Sequence, residues 1–246
     1  MSLSPPPTDL PDRLSLFLDF DGTLVEMAPR PDAVAVDAGL QTLMGTLSAR
    51  LDGRLAVVSG RSVARIRQFF GIAGFAIGGS HGVEMAWPDG RNVAPGEPRW
   101  RQRVIAQVTP FAESHPGVLV EVKPFGVALH YRLAPEAGPA VHALADELAA
   151  ADGLRLQHGK MMVELREAGA DKGDAVRAFM AEPAMAAGVP FFLGDDLTDE
   201  SAFAAVAELG GAGVLVGPER RTAARYRLPD VAAVHGWLEA LAGVAA

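Results

Sequence analysis

The stretch LSLFLDFDGT, residues 14–23, decides how this 246-residue chain folds. Its apolar part predicts a strand that is buried on both faces, because the apolar run is continuous rather than alternating with polar residues. The strand ends directly in a polar loop that carries Asp19 and Asp21. In open parallel sheets, ligands bind beyond the carboxyl ends of the strands. We therefore expect an α/β fold with its functional site at the end of this strand.

Segments on both sides of a central stretch repeat an alternation of short apolar strands and periodic helices. This alternation predicts a doubly wound, Rossmann-like parallel sheet with right-handed crossovers. The predicted strands are 14–20, 55–58, 75–77, 191–193 and 213–216, and the predicted helices are 37–50, 63–70, 173–181 and 200–209.

The central stretch has a different pattern. Residues 118–123 and 127–132 alternate between apolar and polar side chains and flank Pro124-Phe125-Gly126, which predicts a hairpin. A helix at 140–150 and another alternating strand at 161–166 follow. Such strands are typical of an antiparallel sheet with one polar face.

This change of pattern divides the chain into two predicted units. We expect a catalytic α/β core at residues 1–82 and 167–246, interrupted by an inserted α+β cap at residues 83–166. A length of 246 residues suits one domain that carries a modest insertion.

Composition excludes several functional classes. The net charge of −8 argues against nucleic-acid and anionic-membrane partners, because no overall positive field attracts phosphate groups. The absence of cysteine excludes disulfides, thiolate catalysis and cysteine-bound zinc. Neither the Pro-rich residues 1–13 nor any other segment has the pattern of a signal peptide or a membrane span. We therefore expect a cytoplasmic protein with no membrane partner.

Four polar clusters are predicted to meet at the same edge of the core sheet. Taken alone, each has an ordinary structural explanation as a turn or a helix cap. Their joint occurrence at strand ends and at a helix start favours a single active site. The clusters are Asp19 with Asp21, Ser59 with Gly60, Lys172, and Asp195 with Asp196.

The carboxylates suit phosphoryl transfer. Asp19 can attack phosphorus as a nucleophile and form an acyl phosphate. Asp21 can protonate the leaving oxygen and later activate water. Asp195 can help to hold Mg²⁺, which offsets the repulsion between a carboxylate and a phosphate dianion.

The remaining polar residues suit phosphate binding. The Ser59 hydroxyl and the Gly60 amide can donate to phosphate oxygens, and Lys172 can supply a point charge. Asp196 is expected to orient water or Lys172 from behind.

These segments resemble the four motifs of the haloacid-dehalogenase superfamily. The resemblance implies that Asp19 is the nucleophile and Asp21 the acid and base. It also implies that Mg²⁺ is held by Asp19, the backbone carbonyl of Asp21 and Asp195, with Asp196 and Asp199 in support. The insertion is similar to the type 2 cap of that superfamily. The matching segments are 16–23, 57–61, 171–173 and 194–200.

Further features resemble the trehalose-6-phosphate phosphatases over nearly the whole chain. The resemblance implies a sugar-phosphate substrate, trehalose 6-phosphate. A separate trehalose-6-phosphate synthase upstream is a candidate partner, and the sequence does not decide whether one exists. The resemblance also implies that Arg61 and His81 in the core contact the substrate, together with cap residues. The features are Pro29 and Pro31, Gly79 to Gly82, the hairpin from Glu121 and Lys123 to His130, Tyr131 and Arg132, the segment from Lys160 to Glu164, and residues 195–200.

The alternation of the cap strands places polar side chains on shared faces. Glu121 and Lys123 share one face of a strand, and His130 and Arg132 share one face of the next. Glu164 and Arg166 likewise share one face of a third strand. Sugar hydroxyls are bound by such carboxylates and cations, so we interpret this face as the sugar floor. A solvent-facing antiparallel sheet has the same pattern.

Alternatives remain open at this stage. His81 has a hinge or substrate-edge role, or is a simple turn histidine. The leading hypothesis is a trehalose-6-phosphate phosphatase. The alternatives are another capped phosphatase, acting on sucrose phosphate or a mannosyl phosphoglycerate, and a phosphomutase. A non-catalytic phosphosugar-binding module would not need both Asp19 and Asp21.

Overall fold

The computed structural model describes residues 3–8, 13–28, 30, 33–71, 74–167 and 169–243. The chain divides into two compact units. The larger comprises Met1–Ala28, Val34–Ala94 and Ala170–Ala246, and the smaller comprises Pro29–Ala33 and Pro95–Gly169. Pro29 and Pro31, which carry part of the family resemblance, lie outside the described residues.

The secondary structure of the described residues is mixed α/β. None of these helices is both long enough and apolar enough to cross a membrane. The strands are β1 Leu14–Leu18, β2 Leu55–Val58, β3 Ala76–Gly79, β4 Glu84–Ala86, β5 Asn92–Val93, β6 Leu119–Val122, β7 Gly126–His130, β8 Arg155–Gly159, β9 Met162–Arg166, β10 Val189–Gly194, β11 Ala212–Val216 and β12 Tyr226–Leu228. The helices are α1 Ala38–Arg50, α2 Val63–Phe70, α3 Arg101–Ser114, α4 Gly138–Asp152, α5 Lys172–Met180, α6 Pro183–Ala186, α7 Glu200–Glu208 and α8 Val231–Ala242.

The larger unit is built on one sheet with the order β12-β11-β10-β1-β2-β3-β4-β5 among the described residues. Strands β12 to β3 are parallel to their neighbours, and β4 and β5 extend the sheet as an antiparallel edge. β1 lies between β10 and β2, so the polar residues that follow these three strands lie at the same edge of the sheet. The predicted doubly wound parallel core is confirmed.

Alternation along β1 places apolar side chains on both faces of the sheet. Leu16 and Leu18 belong to a core that includes side chains of α1, α2 and α8. Phe17 points the other way and packs into a core with α5 and α7. Helices on both faces explain why β1 is buried throughout.

The smaller unit is an antiparallel sheet, β6-β7-β9-β8, with α3 and α4 on its apolar face. Val127 and Leu129 of β7, with Val163 and Leu165 of β9, form the buried floor under these helices. The residues between them in sequence face away from the helices. This arrangement confirms the predicted α+β insertion with one polar face.

The structure divides the chain later than the expected start of the cap at residue 83. β4 and β5 continue the core sheet, because β4 pairs with β3 from Gly79–Glu84 to Ile77–Ala86. The division falls between Ala94 and Pro95, and on the return between Gly169 and Ala170. A three-residue and a two-residue strand are too short to show a period in the sequence.

The helix α3 lies in a region where the sequence analysis predicts no helix. α3 follows the Pro98 neighbourhood and carries Pro110 within it, which weakens the helical pattern. Only Val104 and Val108 of α3 are buried, so its apolar stripe is narrow. β8 and α8 also lie outside the predicted elements.

Gly213 in β11 lies so close to Phe203 of α7 that a Cβ would sit 2.6 Å from the ring carbon Cδ1. We expect Gly213→Ala to lower the free energy of unfolding by about 1–3 kcal/mol, as overpacked cores do. Gly236→Ala is the matched control, because nothing lies within 4 Å of the added methyl on α8. It should stabilise by about 0.5–1 kcal/mol. Urea unfolding measures both, and equal effects would contradict the packing of α7 on the sheet.

Candidate active site

Asp19 follows β1 and is buried, with 4% of its surface exposed. Its backbone N–H donates to the carbonyl of Leu193 in β10 at 2.9 Å, which fixes the chain at the end of the strand. Gly22 then has φ +84°, and a Cβ there would overlap the carboxylate of Asp195. The glycine of the deciding stretch therefore allows the loop after β1 to approach the loop after β10.

Lys172 begins α5 and is buried, with 3% exposed. Its Nζ donates to Oδ1 of Asp19 at 2.7 Å and to Oδ1 of Asp199 at 2.6 Å. Asp171 caps the same helix by accepting from the N–H of Asp174, whose carboxylate accepts from Asp171 in return. The capping box fixes the helix start, and the helix start directs the ammonium group at two carboxylates.

The charges of this cluster perturb each other. Burial raises the pKa of Asp19 well above its ordinary value, Asp199 and Asp195 add to the rise, and Lys172 opposes it. Burial alone would lower the pKa of Lys172, but Asp19 and Asp199 outweigh burial and raise it. Lys172 is therefore a permanent cation, and Asp19 lies in an excess of negative charge.

Three carboxylates in this cluster could hold a metal ion. Asp19, Asp195 and Asp199 each offer one oxygen, and these oxygens all lie within 4.8 Å of one another. When all three are ionised, these carboxylates carry two more negative charges than Lys172 balances. Hard oxygen donors with two unbalanced negative charges fit a divalent cation of the Mg²⁺ type.

Hydrogen bonds among its own residues fix the conformation of the loop after β10. Asp199 is fully buried, and its Oδ2 accepts from the N–H of Asp196 at 2.8 Å. Asp196 in turn accepts from the N–H of Leu197. A Cβ at Gly194 would overlap the carboxyl group of Asp199, so the glycine makes room for it. Asp199, which the sequence places in a supporting role, lies among the three clustered carboxylates.

An ion pair that the sequence reasoning missed supports this loop from outside. Arg220 donates to the carbonyl of Asp196 at 2.8 Å and also pairs with Glu200. Glu200 accepts from the N–H of Ala223 as well. Arg220 follows β11 in an Arg-rich segment, and its spacing from the other clusters offers no signal that could have identified it.

Ser59 and Gly60 follow β2 beside these groups. Ser59 is buried, its N–H donates to Gly78, and its hydroxyl accepts from the N–H of Arg61 at 3.1 Å. A Cβ at Gly60 would lie 2.6 Å from the ring of His81. The loop after β2 is therefore a tight turn packed against the His81 imidazole.

Arg61, expected at the substrate, pairs with Asp21 in this structure. Its Nε and Nη2 donate to the two carboxylate oxygens of Asp21 at 2.7 and 2.8 Å. The guanidinium also lies over the rings of Phe20 and Phe69 at 5.5 and 5.6 Å from their centroids. Because the planar Arg61 guanidinium is held by two rings and donates two hydrogen bonds, it fixes the direction of the Asp21 carboxylate.

The polar face of the smaller unit holds two side-chain pairs. Nε2 of His130 and Oε2 of Glu121 are 2.8 Å apart. Lys123 donates to Oε2 of Glu164 at 2.5 Å, and Glu164 is only 3% exposed. Burial favours protonation of Glu121, but the His130 hydrogen bond and the Lys123 charge outweigh it and lower the pKa of Glu121.

The register of the smaller sheet explains these pairs. Ala128 of β7 lies between Glu121 of β6 and Glu164 of β9. A Cβ at Gly126 would overlap a carboxylate oxygen of Glu164. Gly126 and Ala128 of β7 thus leave room for the side chains of Glu121 and Glu164 on the two neighbouring strands. Arg132, also expected here, donates to the backbone carbonyl of Lys160 at 3.0 Å.

A family model described as Trehalose-phosphatase matches residues 17–232. The chain belongs to the trehalose-phosphatase family. The match covers the loops after β1, β2 and β10 and the start of α5, together with the whole smaller unit.

Curated relatives in the trehalose-phosphatase family match nearly the whole chain. A probable trehalose-phosphate phosphatase of Sinorhizobium fredii is 42% identical over 238 residues, which cover 96% of this chain and 89% of that protein. Trehalose-6-phosphate phosphatase of Escherichia coli is 37% identical over 242 residues, covering 96% and 91%.

Solved structures share the trehalose-phosphatase fold. The C-terminal domain of a Candida albicans trehalose-6-phosphate phosphatase superposes with a TM-score of 0.83 over 95% of this chain and 93% of that one, at 24% identity. At that identity the likeness shows the fold. A trehalose-6-phosphate phosphatase related protein gives a TM-score of 0.79 at 28% identity, covering 94% and 97%.

We expect Asp19→Asn to leave a folded trehalose-phosphatase family member with activity reduced by about 10³-fold or more. The amide keeps the shape of the side chain but cannot attack phosphorus, and Asp199 still accepts from Lys172. Phosphate release measures the loss, and circular dichroism checks the fold. Purified variant that keeps more than a tenth of the original activity would rule Asp19 out as the nucleophile.

Proposed function

We propose that this chain hydrolyses trehalose 6-phosphate to trehalose and inorganic phosphate. One observation carries the proposal: a family match over residues 17–232 coincides with a buried Asp19 that is held by Lys172 beside Asp21. A phosphoric monoester hydrolase needs a nucleophile, an acid and a phosphate site, and this edge of the sheet offers all three.

Asp19 attacks phosphorus, forming an oxygen–phosphorus bond as the bond from phosphorus to the sugar oxygen breaks. Asp21 gives its proton to that sugar oxygen, so trehalose leaves as a neutral alcohol. Water then attacks the acyl phosphate, and Asp21 takes a proton from the water. The bond between Asp19 and phosphorus breaks, which releases phosphate and restores both carboxyl groups. The two hydrogen bonds from Arg61 hold the ionised form of Asp21, which is the form that takes a proton from water in the second step.

Ser59, the Gly60 amide and Lys172 bind the phosphoryl oxygens in this proposal. Mg²⁺ is the proposed cofactor, and Asp19, the Asp21 backbone carbonyl and Asp195 would hold it, with Asp196 and Asp199 in support. When bound, it screens the repulsion between the carboxylate and the phosphate dianion. The clustered oxygens of Asp19, Asp195 and Asp199 support this proposal.

The smaller unit is proposed to recognise the sugar through Glu121, Lys123, His130 and Glu164, with Arg132, Arg61 and His81 as further contacts. The two side-chain pairs present carboxylate oxygens and nitrogen donors on one polar face, and sugar hydroxyls can bind to both. If this face of the sheet only contacted solvent, Glu164 would be exposed, but it is almost fully buried.

Other substrates are less well supported. Sucrose phosphate, mannosyl phosphoglycerate and a phosphomutase reaction gain nothing from the family match, which names trehalose-phosphatase. A bifunctional trehalose-6-phosphate synthase/phosphatase of Thermoproteus tenax is 36% identical over 93% of this chain and 32% of that protein. We propose that a trehalose-6-phosphate synthase activity supplies the substrate. The cytoplasmic location stays a prediction.

Mg²⁺ should raise the melting temperature by several degrees. A ligand at about 100 times its Kd adds ~2.7 kcal/mol to the free energy of unfolding, and each ~1 kcal/mol moves Tm by about 2–4 °C. Activity should vanish with a chelator and return with Mg²⁺. Asp195→Asn should lose both responses, whereas Gly236→Ala should keep them. Turnover that survives exhaustive chelation would contradict a metal role for the carboxylates.

Glu121→Ala, Lys123→Ala and Glu164→Ala should each lower kcat/KM for trehalose 6-phosphate by about tenfold or more, since charged hydrogen bonds are lost. A small aryl phosphate has no hydroxyls to bind there and should lose less than about threefold. Phosphate release from a panel that also contains sucrose 6-phosphate and glucose 6-phosphate measures both effects. Equal losses on all substrates would mean that these residues do not recognise sugar, and faster hydrolysis of another sugar phosphate would overturn the proposed substrate.

A further inference from the structure

A turn with an uncommon backbone lies behind the loop that carries Ser59 and Gly60. Ser80 and His81 follow β3, and both have left-handed backbone angles, with φ of 48° and 58°. Left-handed residues other than glycine cost about 1–2 kcal/mol each, so surrounding contacts must hold them. Both residues are buried.

The two amides of this turn hold the loop in place. The N–H of Ser80 donates to the carbonyl of Arg61 at 2.8 Å, and the N–H of His81 donates to the carbonyl of Ser59 at 2.9 Å. The ring of His81 also lies directly against Gly60. The position of the phosphate-binding loop therefore depends on the conformation of the turn.

Glu84 of β4 connects the turn to the helix that follows the loop. Ser80 Oγ donates to Glu84 Oε1 at 2.5 Å, and the N–H of Val63, the first residue of α2, donates to Glu84 Oε2 at 3.3 Å. Glu84 is only 9% exposed. A buried carboxylate is retained where it satisfies buried donors, and a negative charge is favourable at a helix N-terminus.

The turn also abuts the start of α5. A Cβ at Gly82 would lie 2.6 Å from the backbone carbonyl of Asp171, the residue before Lys172. One carboxylate thus supports the turn that contacts both the Ser59 loop and the helix start that directs Lys172. The mechanism proposed above uses neither Glu84 nor Ser80.

We propose that Glu84 is a positioning residue for the phosphate site, acting through Ser80 on the loop that carries Ser59 and Gly60. The proposal rests on the phosphate-binding role assigned to that loop under the proposed function. Glu84 does not touch phosphate. Its removal lets the left-handed turn relax, and the loop that carries the Ser59 hydroxyl and the Gly60 amide then loses the contacts that fix its position.

Calorimetric titration with inorganic phosphate and saturating Mg²⁺ tests this role on the full chain. We expect Glu84→Gln and Ser80→Ala to weaken phosphate binding by about tenfold, the lower end of what supporting residues cost around a site. The titration stoichiometry reports the folded fraction, and the dissociation constant reports the geometry of the site. Glu84→Gln keeps the shape of the side chain but replaces one of its two acceptor oxygens with an amide donor, so it cannot accept from both the Ser80 hydroxyl and the Val63 N–H.

Asp230→Asn is the matched control, because Asp230 caps α8 in the same unit by accepting from the N–H of Ala233 at 2.8 Å. It should leave the phosphate affinity unchanged and the stability nearly so, because Asn caps a helix about as well as Asp. Ser80→Ala decides the outcome if Glu84→Gln does not fold. Phosphate affinities within twofold of the unaltered chain in the folded variants would overturn the proposal, as would an equal loss in Asp230→Asn.

The phosphate titration also separates this inference from the proposed function. An unaltered chain that binds phosphate but does not hydrolyse trehalose 6-phosphate would count against the substrate alone, and the variant comparison would still decide the role of Glu84. An unaltered chain that binds no phosphate would overturn the phosphate site and the role of Glu84 together.

Discussion

The buried ammonium group of Lys172, donating to Asp19 and Asp199 at once, is the interaction on which the site depends. It joins the end of β1, the start of α5 and the loop after β10, three segments that lie far apart in the chain. Two carboxylates at this depth would repel each other and pay a large desolvation cost without it. The fold supplies the other half of this arrangement, because β1 lies directly beside β10 and helices cover both faces of the sheet.

The core of the fold could be predicted from the sequence because its signals are local. Continuous apolar runs that end in polar residues indicate parallel strands, and the clusters at Asp19, Ser59 and Asp195 follow such strands, whereas Lys172 begins a helix. Parallel pairing then brings strand ends together without any knowledge of side-chain positions. The short strands β4 and β5 and the helix α3 could not be predicted in the same way, because they offer two or three residues or an interrupting Pro110.

The partners of individual side chains were harder to predict. Alternation places Glu121, Lys123 and Glu164 on one face, but only the strand register shows that Gly126 and Ala128 leave room for the acids. Arg61 and Glu84 belong to a loop and a short strand, where no period indicates the direction of a side chain. The structure pairs Arg61 with Asp21, and it connects Glu84 to the turn at Ser80. Contacts of this kind depend on the close approach of separate loops, which sequence spacing does not contain.

In the proposed mechanism, Asp19 carries the phosphoryl group between the two halves of the reaction. Rapid acid quench of the enzyme during turnover of trehalose 6-phosphate, followed by borohydride reduction and peptide mass spectrometry, tests it most directly. An acyl phosphate at Asp19 would be reduced to the alcohol, so we expect homoserine at position 19, formed only in the presence of substrate and Mg²⁺. Homoserine at another aspartate, or an unmodified residue 19 under conditions of active turnover, would contradict it.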